Sequence, residues 1–379
     1  MGVRVELVLS EEQESFRATT QRFLEAVAPI ATTRALESSP DGFDREYWRR
    51  GAALGWVSML VPEALGGGCF SEHGLLDLVL VAEEMGRLVA PGALIPANVV
   101  AAAIAEYGTD AQRADVLPGL LAGERIAAWA HSEAGSRLCD VSLHAERRGG
   151  DVVLAGVKQP VEAGAQADHL LVSAMTPDGP IQVLVAADAR GVTITPMGGL
   201  DLVRRFASIA FDGVVVPTTS VVSGVDRAAA DIERQLQIAN AVQCAETVGA
   251  VARIFEITVE YVGDRYSFGR PLASYQALKH RFADMKMWVE ACAATATAAA
   301  RAVAAGQPNA SELVSVAKTY IGPRATEIIQ DCVQMHGGIG VTWEHDLHLY
   351  LRRATVNRAT YGTPDEHAAR VADIVLGAA

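Results

Sequence analysis

The chain has 379 residues, 50% of them hydrophobic and 20% charged, with a formal net charge of -13 at pH 7. That length allows two or three domains with real cores, and the composition excludes a disordered chain. The acid surplus argues against a nucleic-acid partner, because no basic excess is there to displace phosphate counterions. Ser10 followed by Glu12 and Gln13 predicts a helix N-cap with an acidic first turn, and Phe16, Phe23, Leu24 and Val27 keep roughly helical spacing after it. VPEALGGGC (61–69) reads as a loop, LLDLVLVAEEMGRLV and NVVAAAIAEYG as helices, the second closed by Gly108. From about 126 the texture changes to short Val- and Ile-rich runs, DVVLAGV, HLLVSA, IQVLVAAD, VTITPM and ASIAFDGVVVP, which predict several short strands. Ala-rich helices are expected over 228–263, 274–305 and 309–335. The expected domains are therefore helical (1–125), β (126–226) and helical again (227–379), an uncommon order.

Five cysteines (Cys69, Cys139, Cys244, Cys292, Cys332) are scattered and form no CxxC pair, the pattern of reduced thiols in a cytoplasmic protein. The N-terminus, MGVRVELVLSEEQESF, has acidic residues where a secretion leader needs an apolar run. No stretch reaches about 18 consecutive apolar residues, so no membrane span is expected. His345, Asp346 and His348 have the one-turn spacing of a metal pair but no third ligand, and read as a polar helix face.

Several stretches resemble the acyl-CoA dehydrogenase family nearly end to end. They are Leu54-Gly55-Trp56 with VPEALGGG, AEEMGRL (82–88), FDGVVVP (211–217), DRYSFGRPLASYQALKHRFADM (264–285) and QMHGGIG (334–340). The resemblance implies an N-terminal helical domain, a middle β-barrel and a C-terminal helical bundle. It also implies FAD as cofactor, an acyl-CoA substrate, electron-transfer flavoprotein or a similar acceptor, and a homo- or hetero-oligomer of two or four chains. In the family, the Arg265 position contacts the pyrophosphate of an FAD held mainly by a neighbouring subunit, which suits the planar donor fork of arginine. Phe268 would pack on the nucleotide and the Gln276 amide would hydrogen-bond it. Gln334 and the Gly337-Gly338 backbone of the neighbouring chain would receive the adenosine end, since glycines allow close approach and leave N–H groups free.

The implied reaction removes a proton from Cα of the thioester while hydride leaves Cβ for flavin N5, and the first step needs a carboxylate of raised pKa. Many members carry that Glu where this chain has Tyr361, and a neutral Tyr with an ordinary pKa of about 10 is a poor base near pH 7. Other members place it on the helix before the R-x-x-F-G motif, where ungapped counting gives Ala239. Glu246, seven residues on and nearly on the same helical face, is the expected stand-in; its apolar neighbours predict burial and a raised pKa. Ser132 and Glu133 keep the family's flavin-contacting T-E positions in a shortened turn. Pro160 and Glu162 replace its aromatic and hydroxyl residues near the ring, where a negative charge opposes a reduced flavin. Two readings follow: an FAD-dependent acyl-CoA dehydrogenase with Glu246 as base, which we favour at this stage, or a complementary subunit that completes the FAD site of a partner chain.

Overall fold

The computed structural model describes residues 9–71 and 73–377, so the residues 1–8 on which the leader argument partly rests lie outside it. The chain opens with α1 (Glu11–Val27), α2 (Ile30–Ala35), α3 (Arg45–Ala53), α4 (Gly74–Leu88), α5 (Leu94–Tyr107) and α6 (Asp110–Leu121). Ser10 starts α1 with a capping box: its hydroxyl accepts from the Gln13 N–H and the Gln13 side chain accepts from the Ser10 N–H, both at 3.2 Å.

The strands are β1 (Ala127–Ala130), β2 (His144–Arg148), β3 (Asp151–Glu162), β4 (His169–Thr176), β5 (Gly179–Ala186), β6 (Val192–Met197), β7 (Phe206–Pro217) and β8 (Val221–Ser223). All five Val/Ile-rich runs fall on strands, whereas β1, β2 and β8 gave too little signal to be read. The expected β-barrel does not form. The strands make one mixed sheet in the order β6-β7-β3-β2-β4-β5-β8, with β1 pairing parallel to β4. A barrel needs paired edge strands at a matched stagger. Here β6 and β8 stand at opposite ends of the order, and β2 meets β4 through one parallel register pair, His144 with Met175. The β3–β7 ladder shifts register between Lys158 and Val161, and Val161 and Glu162 are then both buried. That irregularity breaks the in–out alternation and turns the end of β3 toward the helices.

The C-terminal part holds α7 (Ala228–Asp264), a two-stranded hairpin of β9 (Tyr266–Ser267) and β10 (Arg270–Pro271), α8 (Gln276–Ala304), α9 (Ala310–His336), α10 (Leu347–Ala359) and α11 (Pro364–Leu376). Glycine lets α4 and α7 cross with their backbones in contact. A Cβ on Gly86 would stand 1.9 Å from the Glu246 carbonyl oxygen, and one on Gly249 would stand 2.0 Å from that of Glu83. The turn of α7 that carries Glu246 is thereby clamped against α4. Among the described residues, no helix is long and apolar enough to cross a membrane.

Candidate functional site

A cleft of about 150 Å³ lies between the β sheet and the C-terminal helices, and Trp129, Ser132, Glu133, Pro160, Glu162 and Tyr361 line it. Ser132 and Glu133 follow β1, Pro160 and Glu162 end β3, and Tyr361 sits between α10 and α11. Three residues read from the ring-contact pattern, Ser132, Pro160 and Glu162, thus meet in one place with Tyr361. The turn after β1 is fixed by a buried ion pair. Lys158 Nζ donates to Glu133 Oε1 at 2.5 Å and to the His131 carbonyl at 2.9 Å, and the Ser142 and Leu143 N–H groups also donate to Glu133. Burial alone would raise the Glu133 pKa, but these donors hold it down at about 2. Trp129 stacks on His131 at 4.8 Å and on Tyr361 at 6.1 Å.

Behind the cleft lies a buried network of charge. Tyr361 OH donates to Glu162 Oε2 at 2.8 Å, and Arg204 Nε donates to Glu162 Oε1 at 3.0 Å. Arg204 Nη1 then reaches Glu246 Oε2 at 2.9 Å, Arg353 Nη1 reaches Glu246 Oε1 at 2.6 Å, and Asn357 Nδ2 adds a third donor at 2.9 Å. Arg353 Nε continues to Asp201 Oδ2 at 2.5 Å, and Asp201 Oδ1 caps the Val203 and Arg204 N–H groups.

This network corrects the expectation for Glu246. Burial does push its pKa up, but Arg204, Arg353 and Asn357 outweigh burial and leave it below the ordinary carboxylate value. Both oxygens are occupied, and Glu246 is not among the cleft-lining residues. It is an ion-pair hub, not a poised base. The apolar run around it gave no warning, because its partners lie 42 and 107 positions away in sequence. Glu162 behaves in the opposite way: burial raises its pKa, and Arg204 and the Tyr361 hydroxyl only partly offset that. Its carboxyl is thus less readily ionised than an ordinary one. Burial and the neighbouring Glu162 carboxyl also push the Tyr361 phenol well above its usual pKa, so it stays protonated.

Other residues singled out from the sequence lie on the surface. Arg265 ends α7, Phe268 sits in the β9–β10 hairpin at 97% exposure with φ +51°, and Gln276 opens α8 and is exposed. The hairpin is held by the Leu272 N–H on the Arg265 carbonyl (2.8 Å) and by Tyr275 OH on the Ser267 carbonyl (2.9 Å). Gln334, Gly337 and Gly338 are exposed at the end of α9, and nothing lies within 4 Å of where a Cβ on either glycine would stand. A stack of Tyr261 on His336, with ring centroids 4.2 Å apart, joins the two segments. His336 Nδ1 lies 2.8 Å from the Cys332 carbonyl, so it carries the proton and donates. Its Nε2 is buried and has no hydrogen-bond partner among the described residues. The exposed arginine, aromatic and amide of the hairpin fit the phosphate and adenosine end of a dinucleotide.

Comparison with known proteins decides the family. Residues 10–124 match the model "Acyl-CoA dehydrogenase, N-terminal domain" and residues 229–376 match "Acyl-CoA dehydrogenase, C-terminal domain". The chain belongs to the acyl-CoA dehydrogenase family. Acyl-CoA dehydrogenase IpdE2 of Mycolicibacterium smegmatis is 30% identical over 367 residues, 96% of this chain and 98% of that one. A variant of the Tcur3481-Tcur3483 steroid ACAD has a TM-score of 0.88 at 30% identity, covering 97% of this chain and 98% of that one. The ChsE4-ChsE5 complex from Mycobacterium tuberculosis gives 0.87 at 26%, covering 98% and 99%. Membership carries the reaction class, FAD-dependent dehydrogenation of an acyl-CoA thioester.

In an acyl-CoA dehydrogenase, thioester and flavin ring must lie between the base and the ring contact. A base about 3 Å from Cα and a ring about 3–3.5 Å from Cβ separate those two positions by more than about 6 Å. Here the residues at both positions, Tyr361 and Glu162, touch at 2.8 Å. While that contact is made, nothing fits between the two residues, whereas the exposed Arg265, Phe268 and Gln276 have the chemistry to meet the phosphate and adenosine end of FAD.

Proposed function

We propose that this chain serves FAD-dependent α,β-dehydrogenation of an acyl-CoA thioester as a complementary subunit, completing the nucleotide site of a partner chain of the same fold. The single observation that carries this reading is the Tyr361–Glu162 contact inside the cleft, set against a nucleotide face left open on the surface. Arg265 would clamp the pyrophosphate, Phe268 would pack on the nucleotide, and Gln276 would hydrogen-bond it. Gln334, Gly337 and Gly338 would meet the adenosine end. Ser132 and Glu133 form a braced turn on the rim of a cleft whose carboxyls Glu133 and Glu162 are both tied to partners within the chain. The redox chemistry belongs to the FAD, whose electrons leave to an electron-transfer flavoprotein or a similar carrier. Relatives whose names pair two chains support a heteromeric assembly. Five free cysteines agree with a reducing, cytoplasmic setting.

The test is flavin retention in the assembled protein. A charge-assisted hydrogen bond contributes about 1.5–3 kcal/mol, roughly 10- to 100-fold in affinity. Arg265→Ala is expected to weaken FAD retention by at least roughly tenfold. The melting temperature of the chain alone should not change, because Arg265 is exposed. Unchanged retention in both Arg265→Ala and Phe268→Ala would remove the nucleotide face from the site.

A further inference from the structure

We infer that Lys318 is the positioning residue of the cleft: caged by three neutral acceptors, its ammonium holds the Thr360–Gly362 turn so that Tyr361 seats on Glu162 and keeps the cleft shut. The inference rests on the reading of the cleft as closed. Lys318 is 2% exposed on α9, and its three donors are all spent, on Gln243 Oε1, on the Asn357 carbonyl (2.6 Å) and on the Thr360 carbonyl (2.7 Å). An ammonium has three N–H groups and no acceptor capacity, so the match is complete. Two of the acceptors are carbonyls at the C-terminal end of α10, where a positive charge is favoured. Loss of the proton, or of the side chain, leaves at least one buried acceptor without its donor.

The turn that Lys318 holds is otherwise unfavourable. Tyr361 has φ +56°, a left-handed conformation that residues other than glycine rarely adopt, and Gly362 follows at φ +97°. Asn240 Nδ2 (3.1 Å) and His367 Nε2 (3.0 Å) also donate to the Tyr361 carbonyl, and Gln243 Nε2 donates to Thr360 Oγ1 at 2.6 Å. Gln243 thus connects the ammonium to the turn a second time. The backbone is thus pinned from α7, α9 and α11 where the phenol meets the Glu162 carboxyl.

Charge bookkeeping points the same way. The buried network sets three carboxyls (Glu162, Glu246, Asp201) against two guanidiniums (Arg204, Arg353). Lys318 shares Asn357 with it: the Asn357 carbonyl accepts from Lys318, its Oδ1 accepts from Arg204, and its Nδ2 donates to Glu246. A charged Lys318 therefore balances the surplus carboxylate. Around Lys318, α7 presents Cys244, α10 presents Arg358, α11 presents His367, and the β6–β7 loop presents Arg204. No carboxylate touches the ammonium, and burial pushes its pKa down to about 7. When Lys318 loses its proton, one of its three buried acceptors is left without a donor, and the turn loosens at that end.

Trp129 reports the state of the turn, since it stacks on Tyr361, and His131 on the same indole titrates near 4, outside the range of interest. The full-length protein without ligand is titrated from about pH 6 to 8.5, bracketing the Lys318 value of about 7. The emission that disappears in Trp129→Phe is followed. A transition near pH 7 is expected, set apart from any near 8 that Lys158 gives through His131; it should be absent in Lys318→Met, which should hold the high-pH emission through that step. Tyr361→Phe, which keeps the lysine cage, should also lose the transition, so the outcome does not hang on one variant folding. A flat titration in the unmodified chain, or an undiminished transition in Lys318→Met, overturns the inference. Flavin content measured on the same samples separates the two claims. Stoichiometric FAD in the lone chain would sink the subunit reading, whereas a flat titration without FAD uptake sinks only the role of Lys318.

Discussion

Alanine at Glu246 is expected to lower folding stability by about 3–5 kcal/mol, the typical cost of removing one partner from a buried ion pair. The side chain itself is small in volume. The loss comes from Arg204 and Arg353, which would stay buried with their shared carboxylate gone, and from Asn357, which would lose an acceptor. Against a total stability of about 5–15 kcal/mol for a typical domain, that is a large fraction. Urea denaturation near neutral pH should show a lower midpoint with an unchanged slope. Glu246→Gln keeps the shape but not the charge and should fall between alanine and the unmodified chain. A catalytic base would behave otherwise: Gln would leave stability nearly intact and abolish turnover alone. Stability within about 1 kcal/mol of the parent for Glu246→Ala would refute the ion-pair hub.

Acid is expected to destabilise the protein between pH 6.5 and pH 4 through two buried imidazoles. His131 faces the Leu138 carbonyl with Nε2 and the Ser173 hydroxyl with Nδ1, and His367 faces the Tyr361 carbonyl and the Ser315 hydroxyl in the same way. A carbonyl only accepts, so Nε2 carries the proton and Nδ1 accepts from the hydroxyl. Burial disfavours the charged imidazolium and drives both pKa values down to about 4. Unfolding restores the ordinary value near 6.5, so the unfolded chain binds more protons throughout that interval. The stabilising contribution is thus complete above pH 6.5 and is lost as pH falls to about 4, on the order of 3 kcal/mol for each imidazole. Melting temperatures across that range should fall steeply. In His131→Asn the dependence should be shallower by one proton, about 1.4 kcal/mol per pH unit. An identical slope in that variant would show that His131 already titrates freely in the folded state.

Contact range separates what the sequence reveals from what it hides. The Ser10–Gln13 capping box, the five Val/Ile-rich strands and the three long C-terminal helices are written in neighbouring residues, and each is legible without tertiary knowledge. Arg265, Phe268 and Gln276 form a compact motif that can be read in one glance, and their exposure leaves them no core role to be confused with. The closed barrel is what the family resemblance implies, yet closure depends on which edges pair, and the position of β6 opposite β8 is a property of the whole sheet. Glu246 was misread for a related reason: helical neighbours report burial, but only Arg204 and Arg353 decide the sign of its pKa shift. Lys318 carried no local signal either, because its acceptors come from α7, the end of α10 and the turn after it. A carboxyl on an apolar helix face can be either a poised acid or a paired one, and sequence alone does not distinguish them.

Counting flavin per chain tests the complementary role most directly. The protein is purified alone, shown to be folded by cooperative melting, incubated with excess FAD and passed through a sizing column. Bound flavin should be far below one per chain. Mixed with a partner of the same fold whose own cleft holds a free carboxylate, it should yield one FAD per pair of chains, bleached by an acyl-CoA thioester. One tightly bound FAD per chain in the lone protein, bleached by the same thioester, would contradict the closed cleft and the subunit role together.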